Sequence, residues 1–168
     1  VYGEFARQNI SANTETSITN GLPTPLNSNF DFYSPWKMDP VNNSRLYAGG
    51  ATTLYTSANK GTNWTALGTP AGSGRIKNLA IAPSNTAYIY CIKSNAISLS
   101  TDSGVTFSNK TGTLPVGSAG LTSVAVSNTD PLKVWVTFSG YSAGNKVFKS
   151  TDGGTTWANI STGLPNIP

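Results

Sequence analysis

The segment Ser100-Thr101-Asp102-Ser103-Gly104-Val105-Thr106-Phe107 recurs 50 residues later as Ser150-Thr151-Asp152-Gly153-Gly154-Thr155-Thr156-Trp157. A weaker copy, Ser57-Ala58-Asn59-Lys60-Gly61-Thr62-Asn63-Trp64, lies 43 residues before the first. We call these three segments the box hairpins. A repeat of about 40 to 50 residues is typical of four-stranded β-propeller blades. The spacing therefore predicts three such blades.

Four short strands per repeat are indicated by apolar residues that alternate with polar ones. The first strands carry the apolar pairs Trp36/Met38, Leu79/Ile81 and Val124/Val126. The second strands centre on Tyr47, Tyr90 and Trp135, the third contain Leu54, Ile97 and Val147, and the fourth begin at Trp64, Phe107 and Trp157. Little chain is left for helix. The predicted fold class is all-β: a partial propeller of about three four-stranded antiparallel blades.

Turns that contain Gly-Leu-Pro, at 21–23 and 163–165, suggest where blades end. We place blades at 24–67, 68–112 and 113–168, the last with the start of the next linker. Residues 1–23 are the tail of a preceding blade or an N-terminal extension. Propellers have about four to eight blades, so we expect further blades of the same polypeptide, or another protein, to cover the ends of this chain.

The composition excludes several classes of function. Charged residues make up 11% of the chain, which favours a β-rich extracellular protein. The net charge of +4 comes from scattered lysines, a pattern that argues against nucleic-acid binding. No apolar run is long enough to span a membrane. The single cysteine, Cys91, cannot form an intrachain disulfide, and its strand position predicts a core residue.

The box hairpins resemble the Asp-box (BNR) repeat, Ser-x-Asp-x-Gly-x-Thr-Trp. This family occurs in sialidases, propeller xyloglucanases, sortilin-like receptors and photosystem assembly factors. Asn59 and Asn63 depart from the pattern. The last repeat, with residues 136–141 and the ending 163–168, resembles large secreted Bacteroidota proteins that carry type IX secretion sorting domains. The resemblance implies a propeller module of a secreted or cell-surface protein.

The box residues are interpreted as structural. An Asp in such a turn accepts hydrogen bonds from nearby backbone N–H groups, and the glycines permit a positive φ. Asp102 and Asp152 lie in separate hairpins, so we do not expect them to share a metal or catalytic site. The predicted structural set is Ser100, Asp102, Gly104, Thr106, Phe107, Ser150, Asp152, Gly154, Thr156, Trp157, Gly61 and Trp64.

The remaining inventory offers little catalytic chemistry. The chain has no histidine and seven acidic residues, four of which lie in box hairpins or in turns before proline. A sialidase needs an arginine cluster, whereas Arg7, Arg45 and Arg75 are dispersed; the Arg-Thr-Asp-Val-Gly-Gly type segment of propeller xyloglucanases does not occur. We therefore predict no catalytic residue, no metal, no cofactor and no enzyme activity. The four tryptophans are assigned to the core.

Binding is expected on the face that carries the interblade loops, because these loops vary most between repeats. The candidate ligand-binding residues are Phe30, Asp31, Arg75 and Tyr141. The leading interpretation is a non-catalytic scaffold or adhesion module that binds a glycan or a surface protein. The alternative is a fragment of a carbohydrate-active enzyme whose catalytic residues lie outside this chain. A lectin-like propeller built from several short chains is a third possibility.

Overall fold

The computed structural model describes residues 4–167. In this part of the chain, three four-stranded antiparallel sheets follow one another as three blades. The first blade contains β3 (Trp36–Met38), β4 (Leu46–Gly49), β5 (Leu54–Ser57) and β6 (Thr65–Ala66). The second contains β7 (Asn78–Ile81), β8 (Ile89–Lys93), β9 (Ala96–Ser100) and β10 (Ser108–Asn109). The third contains β11 (Leu121–Val126), β12 (Val134–Phe138), β13 (Val147–Ser150) and β14 (Ala158–Asn159).

Two smaller elements precede the blades. The strands β1 (Ala6–Asn9) and β2 (Thr14–Ser17) form an antiparallel hairpin in which Ala6 pairs with Ser17. One helical turn, α1 (Leu26–Asn29), follows and was not expected from the sequence. No helix among residues 4–167 is long and apolar enough to cross a membrane.

The blades pack face against face, with their first strands neighbouring one another. Tyr47 and Leu54 of the first blade belong to one buried cluster with Leu79 and Ile89 of the second. A second cluster joins the second and third blades in the same way; its members include Ala80, Tyr90, Ile92, Val124 and Val136. The apolar alternation of the strands thus becomes the interface between blades, and the prediction of an all-β partial propeller is confirmed.

Several predicted core positions are confirmed. Leu79, Ile81 and Val124 are buried, and Cys91 is buried as well, where desolvation raises the pKa of its thiol. The prediction fails for the first blade. Trp36 is 54% exposed and Met38 49% exposed, because among the described residues no inner strand lies against that side of β3.

The two ends of the blades carry different loops. Box hairpins contact the turns between first and second strands: the amide of Gly153 donates to the carbonyl of Leu132 at 2.9 Å. We call this side the box face. At the opposite side, the loop face, interblade loops contact the hairpins between second and third strands: the amide of Leu121 donates to the carbonyl of Ser94 at 2.9 Å.

Candidate functional site

The centre of each box hairpin is a serine hydroxyl. Ser100 is buried, and its Oγ accepts a hydrogen bond of 2.8 Å from the amide of Gly104 and donates one of 2.7 Å to Oδ1 of Asp102. Ser150 repeats both bonds with Gly154 and Asp152 at the same distances. The sequence interpretation attributed the hydrogen bonds of the turn to the aspartate. In the structure the serine hydroxyl also bonds the turn, because it accepts from the glycine amide and donates to the aspartate.

The aspartate closes the other half of the turn. Oδ1 of Asp102 accepts from the amide of Thr106 at 2.9 Å, and Oδ2 accepts from the Thr106 hydroxyl at 2.6 Å. The hydroxyl and amide of Thr106, together with the Ser100 hydroxyl, lower the pKa of the Asp102 carboxyl to about 2. Asp152 has the corresponding bonds to Thr156, and its pKa is also about 2. Each carboxylate is engaged in its own hairpin.

The weaker box hairpin keeps this geometry with an amide. Oδ1 of Asn59 accepts from the Ser57 hydroxyl at 2.9 Å and from the amide of Asn63 at 2.9 Å. The amide of Gly61 donates to Ser57 Oγ at 2.8 Å. The departure from the sequence pattern therefore removes the charge without removing the turn.

The turns on the box face use their acids in the same local way. Asp39 accepts from the amides of Val41 and Asn42 at 3.0 and 3.1 Å, and Asp130 accepts from the amide of Leu132 at 2.9 Å. Within residues 4–167, no three His, Cys, Asp or Glu side chains gather into a possible metal site.

The loop-face candidates do not all lie on the surface. Phe30 is fully buried and packs against Phe5 and Tyr55, with ring centroids 6.0 and 5.6 Å away. It fills the core beneath the loop that enters β3, so it is unavailable to a ligand. This candidate is corrected to a core residue, because loop position alone does not report burial.

Asp31, Arg75 and Tyr141 are placed on the loop face. Asp31 is exposed, and its carboxylate accepts from the amide of Phe32 at 2.8 Å. Arg75 reaches the preceding loop, where Nη2 donates to the carbonyl of Asn27 at 3.4 Å, while Nη1 is buried and has no partner among the described residues. Tyr141 is 75% exposed in the hairpin between β12 and β13. No described hydrogen bond joins Asp31, Arg75 and Tyr141 to one another.

An aromatic pair that the sequence interpretation missed lies beside Asp31. Phe32 and Tyr33 meet edge to face with ring centroids 4.7 Å apart, and Tyr33 is 86% exposed. The large apolar side chains exposed on the box face are instead aliphatic: Val41, Val105 and Leu132. The loop face of the described chain therefore carries the exposed aromatic side chains of the loops. Two adjacent aromatic residues in a variable loop were the sequence feature that could have indicated this pair.

A groove opens at the uncovered side of the first blade. Its volume is about 660 Å³, and its apolar lining includes Phe5, Ile18, Trp36, Met38, Leu46 and Trp64. It contains the exposed tryptophan that the sequence had assigned to the core.

Comparison with known proteins relates the fold to glycoside hydrolases. No protein-family model matches the chain. It is 28% identical over 131 residues to a xyloglucanase of Hypocrea jecorina (strain QM6a), a match that covers 73% of this chain and 14% of that protein.

Two GH74 crystal structures share the fold. The xyloglucanase of Xanthomonas campestris superposes with a TM-score of 0.73 at 16% identity, covering 96% of this chain and 27% of that one. The Niastella koreensis GH74 enzyme superposes with a TM-score of 0.69 at 21% identity, covering 94% and 26%. The chain thus spans about a quarter of these enzymes.

A propeller outside this group also superposes. YCF48 bound to D1 peptide gives a TM-score of 0.52 at 17% identity, covering 88% of this chain and 44% of that one. Propellers of this fold therefore include a peptide-binding protein as well as glycoside hydrolases.

These relatives contradict the prediction that the chain is not an enzyme, because the curated relative and the two GH74 structures are glycoside hydrolases. The prediction rested on an inventory of 168 residues. Such an inventory cannot exclude catalysis when a chain spans only 14% of the relative it matches. The relatives favour the alternative of a carbohydrate-active enzyme fragment.

Proposed function

We propose that this chain is part of the propeller of a xyloglucanase-like glycoside hydrolase, and that its loop face forms part of the surface on which a β-glucan polysaccharide lies. The observation that carries the proposal is that the exposed aromatic side chains of the loops, Phe32, Tyr33 and Tyr141, all lie on the loop face. The similarity to xyloglucanases over 131 residues supports it.

The chemistry of this face suits a sugar chain. The apolar face of a pyranose ring packs against an aromatic ring, while its hydroxyls need hydrogen-bonding partners. Tyr33 and Tyr141 supply rings with polar tips. The exposed carboxylate of Asp31 supplies an acceptor for sugar hydroxyls. Variable loops on rigid blades are common places for ligand binding.

The box repeats fit the same proposal as structural elements. We infer that they are Asp-box (BNR) repeats, because the bonds of Ser100, Asp102 and Thr106 recur in the third box hairpin. Their role is to fix the hairpins between third and fourth strands, on the side away from the loop face.

A polysaccharide substrate implies a location outside the cell. We therefore propose a secreted or cell-surface protein, in line with the low charge content and the resemblance to secreted Bacteroidota proteins. Fractionation of the source organism tests the location, and recovery of the protein in the cytoplasm alone would contradict it.

Binding of a xyloglucan oligosaccharide to the purified chain tests the function. Tyr33→Ala and Tyr141→Ala should each weaken binding about twofold to tenfold, the range for one aromatic contact of about 0.5–1.5 kcal/mol. Val41→Ala, which removes an exposed side chain of the box face, is the matched control and should leave the affinity unchanged. Equal affinity in all three variants would refute the assignment of this face.

A further inference from the structure

The hairpin of β1 and β2 has the geometry of the outer half of a blade. The amide of Ile18, just after β2, donates to the carbonyl of Phe5 at 2.9 Å. The corresponding bond from an amide to a carbonyl, of 2.8 to 3.0 Å, occurs in every complete blade. The amides of Leu67, Lys110 and Ile160 donate to the carbonyls of Leu54, Ile97 and Val147, respectively. Phe5 is thus equivalent to Ile97 at the start of a third strand, and β2 is equivalent to a fourth strand.

The contact to the next blade is also repeated. The indole of Trp64 donates to the carbonyl of Ile18 at 2.6 Å, as the indole of Trp157 donates to the carbonyl of Lys110 at 2.9 Å. A Cβ built on Gly61 would meet the side chain of Ile18, and one on Gly154 would meet Lys110. The β1–β2 hairpin therefore lies against the first blade as the outer strands of a complete blade lie against the next.

The inner half of this blade has no counterpart among the described residues. β1 pairs with β2 alone. Trp36 and Met38 correspond to Leu79 and Ile81, which are covered by the strands of the preceding blade. Met38 is 49% exposed, whereas Ile81 is 8% exposed. The groove of about 660 Å³ at Trp36 and Met38 lies where those covering strands would be.

We propose that this groove is the seat of a two-stranded antiparallel β-hairpin, supplied by polypeptide that precedes β1, which pairs with the free edge of β1 and completes a four-stranded blade. In the second blade the strand beside β9 is β8, and a short turn joins Lys93 to Ala96. Because Phe5 is equivalent to Ile97, the proposed hairpin takes the positions that β7 and β8 have in the second blade. Its pairing with the free edge of β1 therefore defines the occupant.

The occupant's side chains follow from the interface between the second and third blades. There, Ala80, Tyr90 and Ile92 pack in one cluster with Val124, the residue equivalent to Trp36. The strands that cover Trp36 and Met38 should therefore present small, aromatic and β-branched residues at alternate positions on one face.

A graft within the full chain tests this assignment. The offset of 92 between Phe5 and Ile97 allows a copy of residues 76–92, which contains β7 and most of β8, to be placed directly ahead of Val1 with register preserved. Because Met38 is the only methionine of the chain, its oxidation by peroxide reports cover of the groove. Oxidation should slow about sixfold, the ratio of 49% exposure at Met38 to 8% at Ile81.

A control graft carries Tyr90→Asp and Ile92→Asp in the added copy and should not protect Met38. Equal oxidation rates in the grafted and unmodified chains, or equal protection by the control graft, would overturn the proposal. If the graft prevents folding, a synthetic peptide of residues 76–95 added to the unmodified chain decides, and absence of Met38 protection at millimolar peptide overturns it. Dimerisation of the unmodified chain in sedimentation that protects Met38 and is abolished by Trp36→Asp would assign the groove to a second copy instead.

Discussion

The indole nitrogen of Trp157 donates a hydrogen bond of 2.9 Å to the backbone carbonyl of Lys110, which follows the outer strand of the neighbouring blade. The aromatic residue that ends a box hairpin thus connects two blades, in addition to packing between them. The second box hairpin ends in Phe107, which has no N–H donor on its ring and packs against the core between the first two blades.

Replacement of this indole should weaken the contact between blades without breaking it. Trp157→Phe removes the N–H donor and keeps an aromatic ring, as Phe107 does naturally. The expected loss is about 0.5–1.5 kcal/mol of unfolding free energy, the net contribution of one hydrogen bond. Urea denaturation measures it, and Trp157→Ala is the comparison, with a larger loss because the packing of the ring between the blades is removed as well. A Phe variant as stable as the unmodified chain would show that the bond contributes nothing, and one as unstable as the Ala variant would show that ring packing contributes nothing.

The box glycines should be intolerant of a side chain for two separable reasons. Gly104 has φ +92°, and a Cβ there would lie 2.9 Å from the Leu67 side chain. Gly140, which lies outside the box hairpins, serves as the comparison: it has φ +93°, and a Cβ there would meet nothing within 4 Å. Both Ala variants incur backbone strain of about 1–3 kcal/mol, but only Gly104→Ala must also displace Leu67 and Leu54. Gly104→Ala should therefore be the less stable variant in thermal unfolding. Equal stability would contradict the role of blade packing at this glycine.

The buried serine of a box hairpin should contribute more to stability than an exposed serine elsewhere in the chain. Ser100→Ala leaves the buried amide of Gly104 without its acceptor, which is expected to cost about 1–3 kcal/mol. Ser73→Ala, at an exposed position of the loop face, is the control and should change stability by less than about 0.5 kcal/mol. The idea fails if the two variants unfold at the same urea concentration.

Acid should loosen the second and third box hairpins. The pKa values of Asp102 and Asp152 are about 2, below the ordinary 3.8. A carboxyl whose pKa is lowered by folding contributes stability that is complete above about pH 4 and is lost as the pH falls toward 2. The double variant Asp102→Asn/Asp152→Asn should fold, because Asn59 occupies this position in the first box hairpin, and its stability should fall less steeply in this range. Unfolding curves from pH 2 to pH 5 make the comparison, and identical slopes would contradict the assignment.

Most of the strands and their packing could be predicted from the sequence, but only part of the exposed surface could be. The strands and the packing of Leu79 and Val124 could be predicted, because period-2 alternation and a repeated turn depend on local residues. The exposure of Trp36 could not, since it depends on strands of a neighbouring blade. Phe30 and Tyr33 lie three residues apart in one loop, yet one is buried and the other exposed, which loop composition does not reveal.

The most direct test of the loop-face proposal is an NMR titration of the ¹⁵N-labelled chain with a xyloglucan oligosaccharide. Amide shift changes are expected at residues 31–33, in the loop that carries Arg75 and in the hairpin that carries Tyr141, whereas the amides of the box hairpins should not shift. Shift changes confined to residues 100–107 and 150–157, or no change at millimolar oligosaccharide in a folded sample, would contradict it.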